Sequence, residues 1–249
     1  MKIESFKDGV LKIDGQTMSI AEAFKTYPKE VRGIYTFVNN AIREMERQDE
    51  ILHVENIEKI RQIKGKVKEI FDELDLKNDM TYTQICKIFK YIVTSSSYDD
   101  KIFDEKQELY NANISPLEKY KTLEINGIYN CLIENRSDCL GDAVTMSFLL
   151  RCLDIDSTYI TIGDKNFQNI HSLVRTSLFG HKFYSDPTTV RGALQNGITN
   201  LDDCKVIMTE KFYKKFLKDN NLKILHVYSP IEFLEDGQKM NFGDEDEKN

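Results

Sequence analysis

The stretch Arg136–Leu150 reads RSDCLGDAVTMSFLL and places a cysteine where a polar segment changes into an apolar one. The apolar residues that follow Cys139 predict a buried helix whose first residue is that cysteine. The unpaired amides and the dipole of a helix N-terminus stabilise negative charge, so a thiol at this position suits a nucleophile. The alternative interpretation is a small buried hydrophobe, which is the common role of a free cysteine.

Two further residues with suitable chemistry follow in the segment 170–189, which reads IHSLVRTSLFGHKFYSDPTT. This segment predicts a β-hairpin that turns at Phe179-Gly180, with His171 near its start and Asp186 at its end. Strand pairing across the turn would bring these two side chains together. In a cysteine enzyme an imidazole acts as base and acid, and a third group fixes its tautomer. The order Cys139, His171, Asp186 therefore predicts a triad, although Asp186 could instead only cap the following turn.

These segments resemble the transglutaminase-like superfamily of cysteine enzymes, and the chain is similar to its compact, bacterial-type members. The resemblance depends on CLGDAVTMSFLLRCLDIDSTYITIG from Cys139 and on HSLVRTSLFGHKFYSDPT from His171. Upstream, KIFKYIVTSSSYDD and GIYNCLIENRSDC are similar to the helices that lead to the nucleophile, so the resemblance covers roughly residues 81–189. It implies an α+β, papain-like core, with a nucleophile helix packed on an antiparallel sheet. It also implies a Cys139–His171–Asp186 triad that requires no metal or organic cofactor.

The chain departs from the pattern of that superfamily at three places near the triad. Leu173 stands where most members have an aromatic residue, and the chain has no tryptophan. Ser137 stands where many members have glycine, and Asp142 where an aromatic residue is common. These departures concern the substrate pocket and the contacts to the transition state more than the triad.

Three other residues are candidates for secondary roles in the site. The Tyr98 hydroxyl could donate to an oxyanion beside the backbone amide of Cys139, or the ring could simply anchor a loop. Asp138 and Asp142 flank the thiol, where carboxylates stabilise a helix N-terminus. A sharper hypothesis is that these two carboxylates contact a cationic group of the substrate.

The sequence divides into three predicted regions. Residues 1–78 predict a β-hairpin and amphipathic helices without a candidate nucleophile or base. We expect this extension to pack on the catalytic domain, to cover its cleft or to dock a protein partner. Residues 79–235 form the predicted catalytic domain, whose first helix has an apolar stripe at Ile85, Ile88, Phe89 and Ile92. Residues 236–249 predict a loose acidic tail.

Composition limits the partners and the location of the protein. The chain has 249 residues and a net charge of -7, which argues against nucleic acid or an anionic membrane as main partner. It has no apolar run of signal-peptide or membrane-span length, so we expect a cytoplasmic protein, with signal-independent export left open. Five cysteines without a regular spacing predict neither a disulfide framework nor a zinc site.

Two functions from different classes fit these observations. The first is an enzyme whose thiolate attacks the amide carbonyl of a protein or peptide and forms a thioester. Water would make it a peptidase or amidase, whereas an amine acceptor would make it a transglutaminase. The second is a degenerate transglutaminase-like fold that serves as a binding or scaffolding module. Thiol labelling separates them, since only an enzyme should label at Cys139 alone below the ordinary thiol pKa of about 8.5.

Overall fold

The computed structural model describes residues 3–7, 10–13, 15–76, 79–166, 170–197, 207–229, 234–235 and 238–239. The chain forms two compact units. The first contains residues 1–51 and 113–115, and the second contains residues 52–112 and 116–249. Every residue proposed above for the site belongs to the second unit.

The first unit begins with an antiparallel sheet of β1 (Ile3–Lys7), β2 (Val10–Ile13) and β3 (Gln16–Ser19). The helix α1 (Ile20–Thr26) follows, and α2 (Pro28–Leu74) contributes residues to both units. A capping box starts α1, because Ser19 Oγ accepts from the Glu22 amide and the Glu22 carboxylate accepts from the Ser19 amide at 2.9 Å.

The second unit contains helices and strands in mixed order after α2. The helices are α3 (Thr81–Ser95), α4 (Lys101–Asn111), α5 (Pro116–Leu132), α6 (Cys139–Cys152), α7 (Pro187–Gln195) and α8 (Glu210–Asp219). The strands are β4 (Ser97–Tyr98), β5 (Arg136–Ser137), β6 (Ser157–Gly163), β7 (His171–Leu178), β8 (His181–Ser185), β9 (Met208–Thr209), β10 (Lys223–Tyr228), β11 (Leu234–Glu235) and β12 (Gln238–Lys239). The α+β class expected from the sequence is confirmed.

The main sheet of the second unit is antiparallel. In the part of the chain that the structure describes, it has five strands in the order β10-β6-β7-β8-β9. Leu178 pairs with His181 across the β7–β8 turn, and Phe179 and Gly180 between them have φ of 50° and 78°. Two positive φ values are typical of a type I′ turn, whose twist matches that of the strands. The turn predicted at Phe179-Gly180 is therefore confirmed.

Both faces of this sheet are covered by helices. The central helix α6 packs against β6, β7 and α5, and every residue from Gly141 to Leu150 is buried. This environment explains why the segment after Cys139 is apolar on all sides instead of amphipathic. On the opposite face, α8 covers a second apolar cluster that consists of Ile160, Ile162, Leu173, Tyr184, Tyr213 and Leu217.

The second part of α2 belongs to the core of the second unit. Ile63, Val67 and Ile70 are completely buried in the cluster that also contains residues of α3, α5 and α6. The boundary predicted near residue 78 therefore does not coincide with the boundary of the compact units after residue 51, because the packed core begins upstream of the segment that carries the sequence resemblance. Although α2 is long, it is rich in charge, and none of the described helices is both long and apolar enough to cross a membrane.

The predicted acidic tail falls almost entirely outside the described residues. Within it the structure describes Gln238 and Lys239, which form β12 and pair with β11. Nothing in the structure therefore bears on the rest of residues 236–249.

Two glycines allow α5 and α6 to approach closely beside the thiol. A Cβ placed on Gly141 would lie 2.6 Å from Ser137 Oγ and 3.4 Å from the Gly127 carbonyl oxygen. A Cβ on Gly127 would lie 3.0 Å from Val144 Cγ1 and 3.3 Å from the Gly141 Cα. A side chain at the glycine two residues after Cys139 is therefore excluded chiefly by the Ser137 hydroxyl.

The replacement Gly141→Ala should destabilise the protein, because the new methyl group has no room beside the buried Ser137. We expect the free energy of unfolding to fall by about 1–3 kcal/mol, as is typical of overpacking. The matched control is Gly65→Ala in α2, where an added Cβ meets nothing within 4 Å. That change should raise the free energy of unfolding by about 0.5–1 kcal/mol, because alanine favours helix. Urea titration of both variants measures the two effects, and an unchanged midpoint for Gly141→Ala would contradict the packing described here.

Candidate active site

The Cys139 thiol lies at the first position of α6 and is half-buried. Asp138 forms the N-cap of this helix with an extended backbone, and its Oδ1 accepts a hydrogen bond from the Gly141 amide at 2.9 Å. The short parallel pair of β4 and β5 precedes the cap, with Tyr98 opposite Ser137. The predicted helix start is thus confirmed, and the thiol lies where free amides and the helix dipole favour negative charge.

His171 and Asp186 meet at the end of the sheet that faces this helix start. The Nε2 atom of His171 lies 2.9 Å from Asp186 Oδ2, and both side chains are largely buried. Asp186 also caps α7, because its Oδ1 accepts from the Thr189 amide at 3.0 Å. The Thr189 hydroxyl donates to Asp186 Oδ2, the atom that also contacts His171, at 2.7 Å. Asp186 is therefore both the cap of α7 and a hydrogen-bond partner of His171.

The electrostatic environment favours the protonated form of His171. Burial alone would lower the pKa of the imidazole, but hydrogen bonds with Asp186 and Cys139 outweigh it and raise the pKa to about 10. For Asp186, burial is the largest single influence and opposes ionisation, but the hydrogen bond and charge of His171 together with the bonds from Thr189 outweigh it and lower the pKa of the carboxyl. Since Asp186 occupies Nε2, the other ring nitrogen, Nδ1, is the one available to the thiol.

This raised pKa has a consequence for stability. A histidine whose pKa is higher in the folded chain stabilises the fold when it is protonated. The contribution from His171 is fully present below its unfolded pKa of about 6.5 and is lost as the pH rises through about 10.

The other described cysteines have different surroundings. Burial raises the pKa of the Cys131 thiol and of the Cys152 thiol to about 12, and it also raises the pKa of Cys86. Such thiols are unreactive at neutral pH. Cys204 lies outside the described residues. Among the residues that the structure describes, no three His, Cys, Asp or Glu side chains are grouped so as to hold a metal ion.

A buried ion pair lies directly behind the thiol, and sequence reasoning missed it. Asp142 is completely buried, and both of its oxygens accept from Arg191, at 2.7 and 2.8 Å. The Thr188 hydroxyl donates to Asp142 Oδ2 at 2.6 Å. Burial raises the pKa of the Asp142 carboxyl, and the bonds from Arg191 and Thr188 oppose that rise. Removing one partner of such a pair costs about 3–5 kcal/mol.

The roles predicted for Asp138 and Asp142 toward a cationic substrate need correction. Asp142 has no exposed surface and its oxygens are used by Arg191 and Thr188, so it is not available to a substrate. Asp138 caps α6 and forms an ion pair with Lys106, and both side chains of this pair are mostly buried. A carboxylate in the first turn of an otherwise apolar helix is a sequence signal of a buried cationic partner, because buried charges are paired.

Tyr98 lies close enough to the thiol for their charges to interact. Burial raises the pKa of its phenol, and the charges of Cys139 and Asp138 raise it further. The hydroxyl therefore keeps its proton at neutral pH, as a hydrogen-bond donor must. The side chain remains 44% exposed, so it can reach a bound molecule.

Leu173 does not belong to the surface of the site. It is 1% exposed and packs in the apolar cluster that α8 covers, together with Ile160 and Tyr184. Tyr184 in turn stacks on Tyr213 with ring centroids 4.1 Å apart. The departure at Leu173 therefore changes the core beneath the sheet, and the interpretation that it alters the substrate pocket was wrong.

No family model matches the chain, and no curated protein matches it. Solved structures that are similar to it include one described as a TGase, with a TM-score of 0.39 and 14% identity. That match covers 59% of this chain and 38% of the other. Another is a proposed cysteine protease from Cytophaga hutchinsonii, with a TM-score of 0.34 and 17% identity over 67% of this chain and 50% of the other. The chain thus spans half or less of the length of these two structures.

The protonation of His171 can be measured directly by NMR of its ring carbon in labelled protein. We expect the ring to remain protonated through neutral pH and to titrate near the pKa of about 10. Asp186→Asn removes the carboxylate that accepts from Nε2, so the pKa should fall toward the ordinary value of about 6.5. His171→Gln identifies the resonance. A wild-type ring that already titrates near the ordinary value would contradict the described hydrogen bonds.

Proposed function

We propose that this protein is a cysteine hydrolase or acyltransferase in which the Cys139 thiolate attacks an amide carbonyl. The observation that carries the proposal is the 2.9 Å contact between Asp186 and His171 beside a thiol at the start of a helix. Each residue has the environment that its role needs. The thiol lies at a positive helix end, the imidazole is held at Nε2, and the carboxylate is fixed by its cap to α7.

The reaction follows from these positions. The sulfur of Cys139 attacks the carbonyl carbon, and the oxygen becomes an oxyanion that the backbone amides of the helix start can bind. The Tyr98 hydroxyl is a second donor for this oxygen. Protonated His171 then gives its proton to the nitrogen as the C–N bond breaks, and the amine leaves behind a thioester.

The second half of the reaction restores the enzyme. Neutral His171 takes a proton from an incoming water or amine, whose oxygen or nitrogen attacks the thioester carbonyl. The C–S bond breaks, and the products are a carboxylic acid or a new amide together with the free thiolate–imidazolium pair. Asp186 stabilises the imidazolium through Nε2 during both halves.

The substrate class is the amide of a protein or peptide, either in the backbone or in a glutamine side chain. Water is always present, so hydrolysis is the simplest outcome and we assign peptidase or amidase activity first. Transfer to an amine would require a second site that binds the amine and excludes water. Residues 1–51, which contain no group proposed for the chemistry, are in this account a surface for a protein partner.

Selective alkylation of Cys139 is the first test of the proposal. At pH 6, iodoacetamide should label Cys139 at least tenfold faster than Cys86, because Cys139 lies at a helix start beside a protonated imidazole, whereas burial raises the pKa of the Cys86 thiol. Peptide mapping by mass spectrometry gives the rate at each cysteine in the same sample. Cys86, Cys131 and Cys152 are internal controls. Equal rates at Cys139 and Cys86 would favour a binding or scaffolding module instead of an enzyme.

Substitution of the three residues tests whether they act as one unit. Fluorescein-labelled casein, with and without dansylcadaverine, reports hydrolysis and amine transfer. We expect Cys139→Ala and His171→Ala each to abolish turnover while the thermal midpoint changes little. Asp186→Asn should leave partial activity, because only the orienting group is altered. The double variant of Cys139 and His171 should be scarcely worse than Cys139→Ala, whereas additive losses would show that the residues do not share a mechanism.

A further inference from the structure

We propose that the buried pair of Asp142 and Arg191 positions the thiol of Cys139 against His171. In this inference, which rests on the proposed function, Arg191 is a positioning residue and touches neither substrate nor the reacting atoms. Arg191 is 3% exposed, and its guanidinium lies among α6, which begins with Cys139, α7, which Asp186 caps, and the end of α3.

The contacts of Arg191 join these elements directly. Its two terminal nitrogens bind the carboxylate of Asp142 in the first turn of α6. One of them also donates to the Ile92 carbonyl oxygen at 2.8 Å and to Ser96 Oγ at 2.7 Å, at the end of α3. Arg191 itself belongs to α7, the helix that Asp186 caps. One side chain therefore connects the start of the thiol helix, the end of α3 and the helix that follows Asp186.

These contacts close a loop around the thiol and the imidazole. Asp142 follows Cys139 by three residues on α6, and it accepts hydrogen bonds from Thr188 and Arg191 on α7. Two residues before Thr188, the Asp186 carboxylate holds the ring of His171. The ring in turn interacts with Cys139. The separation between the sulfur and the ring is thus set by two short helical segments and the bonds between them.

The chemistry of the pair suits this task better than apolar packing does. Most of the side chains that bury α6 are apolar, and such contacts have little directional preference. A guanidinium and a carboxylate in bidentate contact fix both distance and angle. A buried ion pair also adds little stability compared with apolar residues of the same size, so stability alone does not account for it.

The same guanidinium reaches the side of the site that carries Tyr98. Ser96 accepts from Arg191, and the chain then forms β4, which ends at Tyr98 and pairs with β5 just before the thiol. A shift of Arg191 would therefore move the proposed oxyanion donor as well as the nucleophile. A displacement of about 1 Å in such a site lowers turnover by about a hundredfold.

The test replaces both charges by apolar residues of similar size, as Asp142→Leu with Arg191→Met. No buried charge is left without a partner, so we expect a cooperatively folded protein with a thermal midpoint near that of the wild type. Turnover of labelled casein should nevertheless fall about a hundredfold in kcat with little change in KM. The rate of iodoacetamide labelling at Cys139 at pH 6 should fall at least tenfold, which a purely structural role would not produce.

Two further variants keep the test decisive. Thr188→Val removes only the hydroxyl that donates to Asp142, and it should lower kcat and the labelling rate at pH 6 several-fold even if the double variant does not fold. Tyr159→Phe removes a hydroxyl that bonds Glu124 and Tyr120 elsewhere in the core, and it should leave both rates unchanged. It therefore controls for a general loss of stability.

The outcomes separate this inference from the proposed function. A folded double variant, or a Thr188→Val protein, with wild-type kcat and wild-type labelling would overturn the positioning role and leave the proposed function intact. A wild-type protein that labels Cys139 no faster than Cys86 would contradict the proposed function, and the inference with it.

Discussion

The geometry of the site depends on the hydrogen bonds of the Asp186 carboxylate, because this group both caps α7 and holds the ring of His171. One oxygen caps α7 through the Thr189 amide, and the other accepts from His171 Nε2 and from the Thr189 hydroxyl. The direction in which α7 leaves the sheet is thereby tied to the orientation of the imidazole. Pro187 at the first position of α7 supports this arrangement, since its ring cannot continue the strand.

The surrounding core fixes the positions of the elements that carry the thiol and the imidazole. The helix α6 is buried from Gly141 to Leu150, and the glycine pair with α5 lets it lie close to its neighbour. Within that apolar setting, Asp142 and Arg191 provide the directional contacts that apolar side chains lack. The thiol, the imidazole and the loop of Tyr98 are in this way held by a common framework, although they come from distant parts of the sequence.

Local signals in the sequence were enough to predict the elements that carry the three residues of the proposed triad. The change from polar to apolar at Cys139, the stripe of α3 and the turn at Phe179-Gly180 are each determined by neighbouring residues, and each is confirmed. The features that were missed depend on tertiary contacts. Neither the partner of Asp142 nor the burial of Leu173 beneath α8 follows from periodicity. The packing of the second part of α2 could not be predicted either. Its apolar stripe indicates a buried face, but the stripe does not identify the helices that cover that face.

The central claim is that Cys139, His171 and Asp186 form one acyl-transfer site, and capture of the thioester tests it most directly. Purified protein would be mixed with glutamine-containing casein peptides, quenched with acid within seconds and mapped by mass spectrometry. Our account predicts an acyl adduct on Cys139 that hydroxylamine removes, and its absence in His171→Ala. A wild-type protein with no adduct, or with adducts spread equally over Cys86 and Cys139, would contradict it.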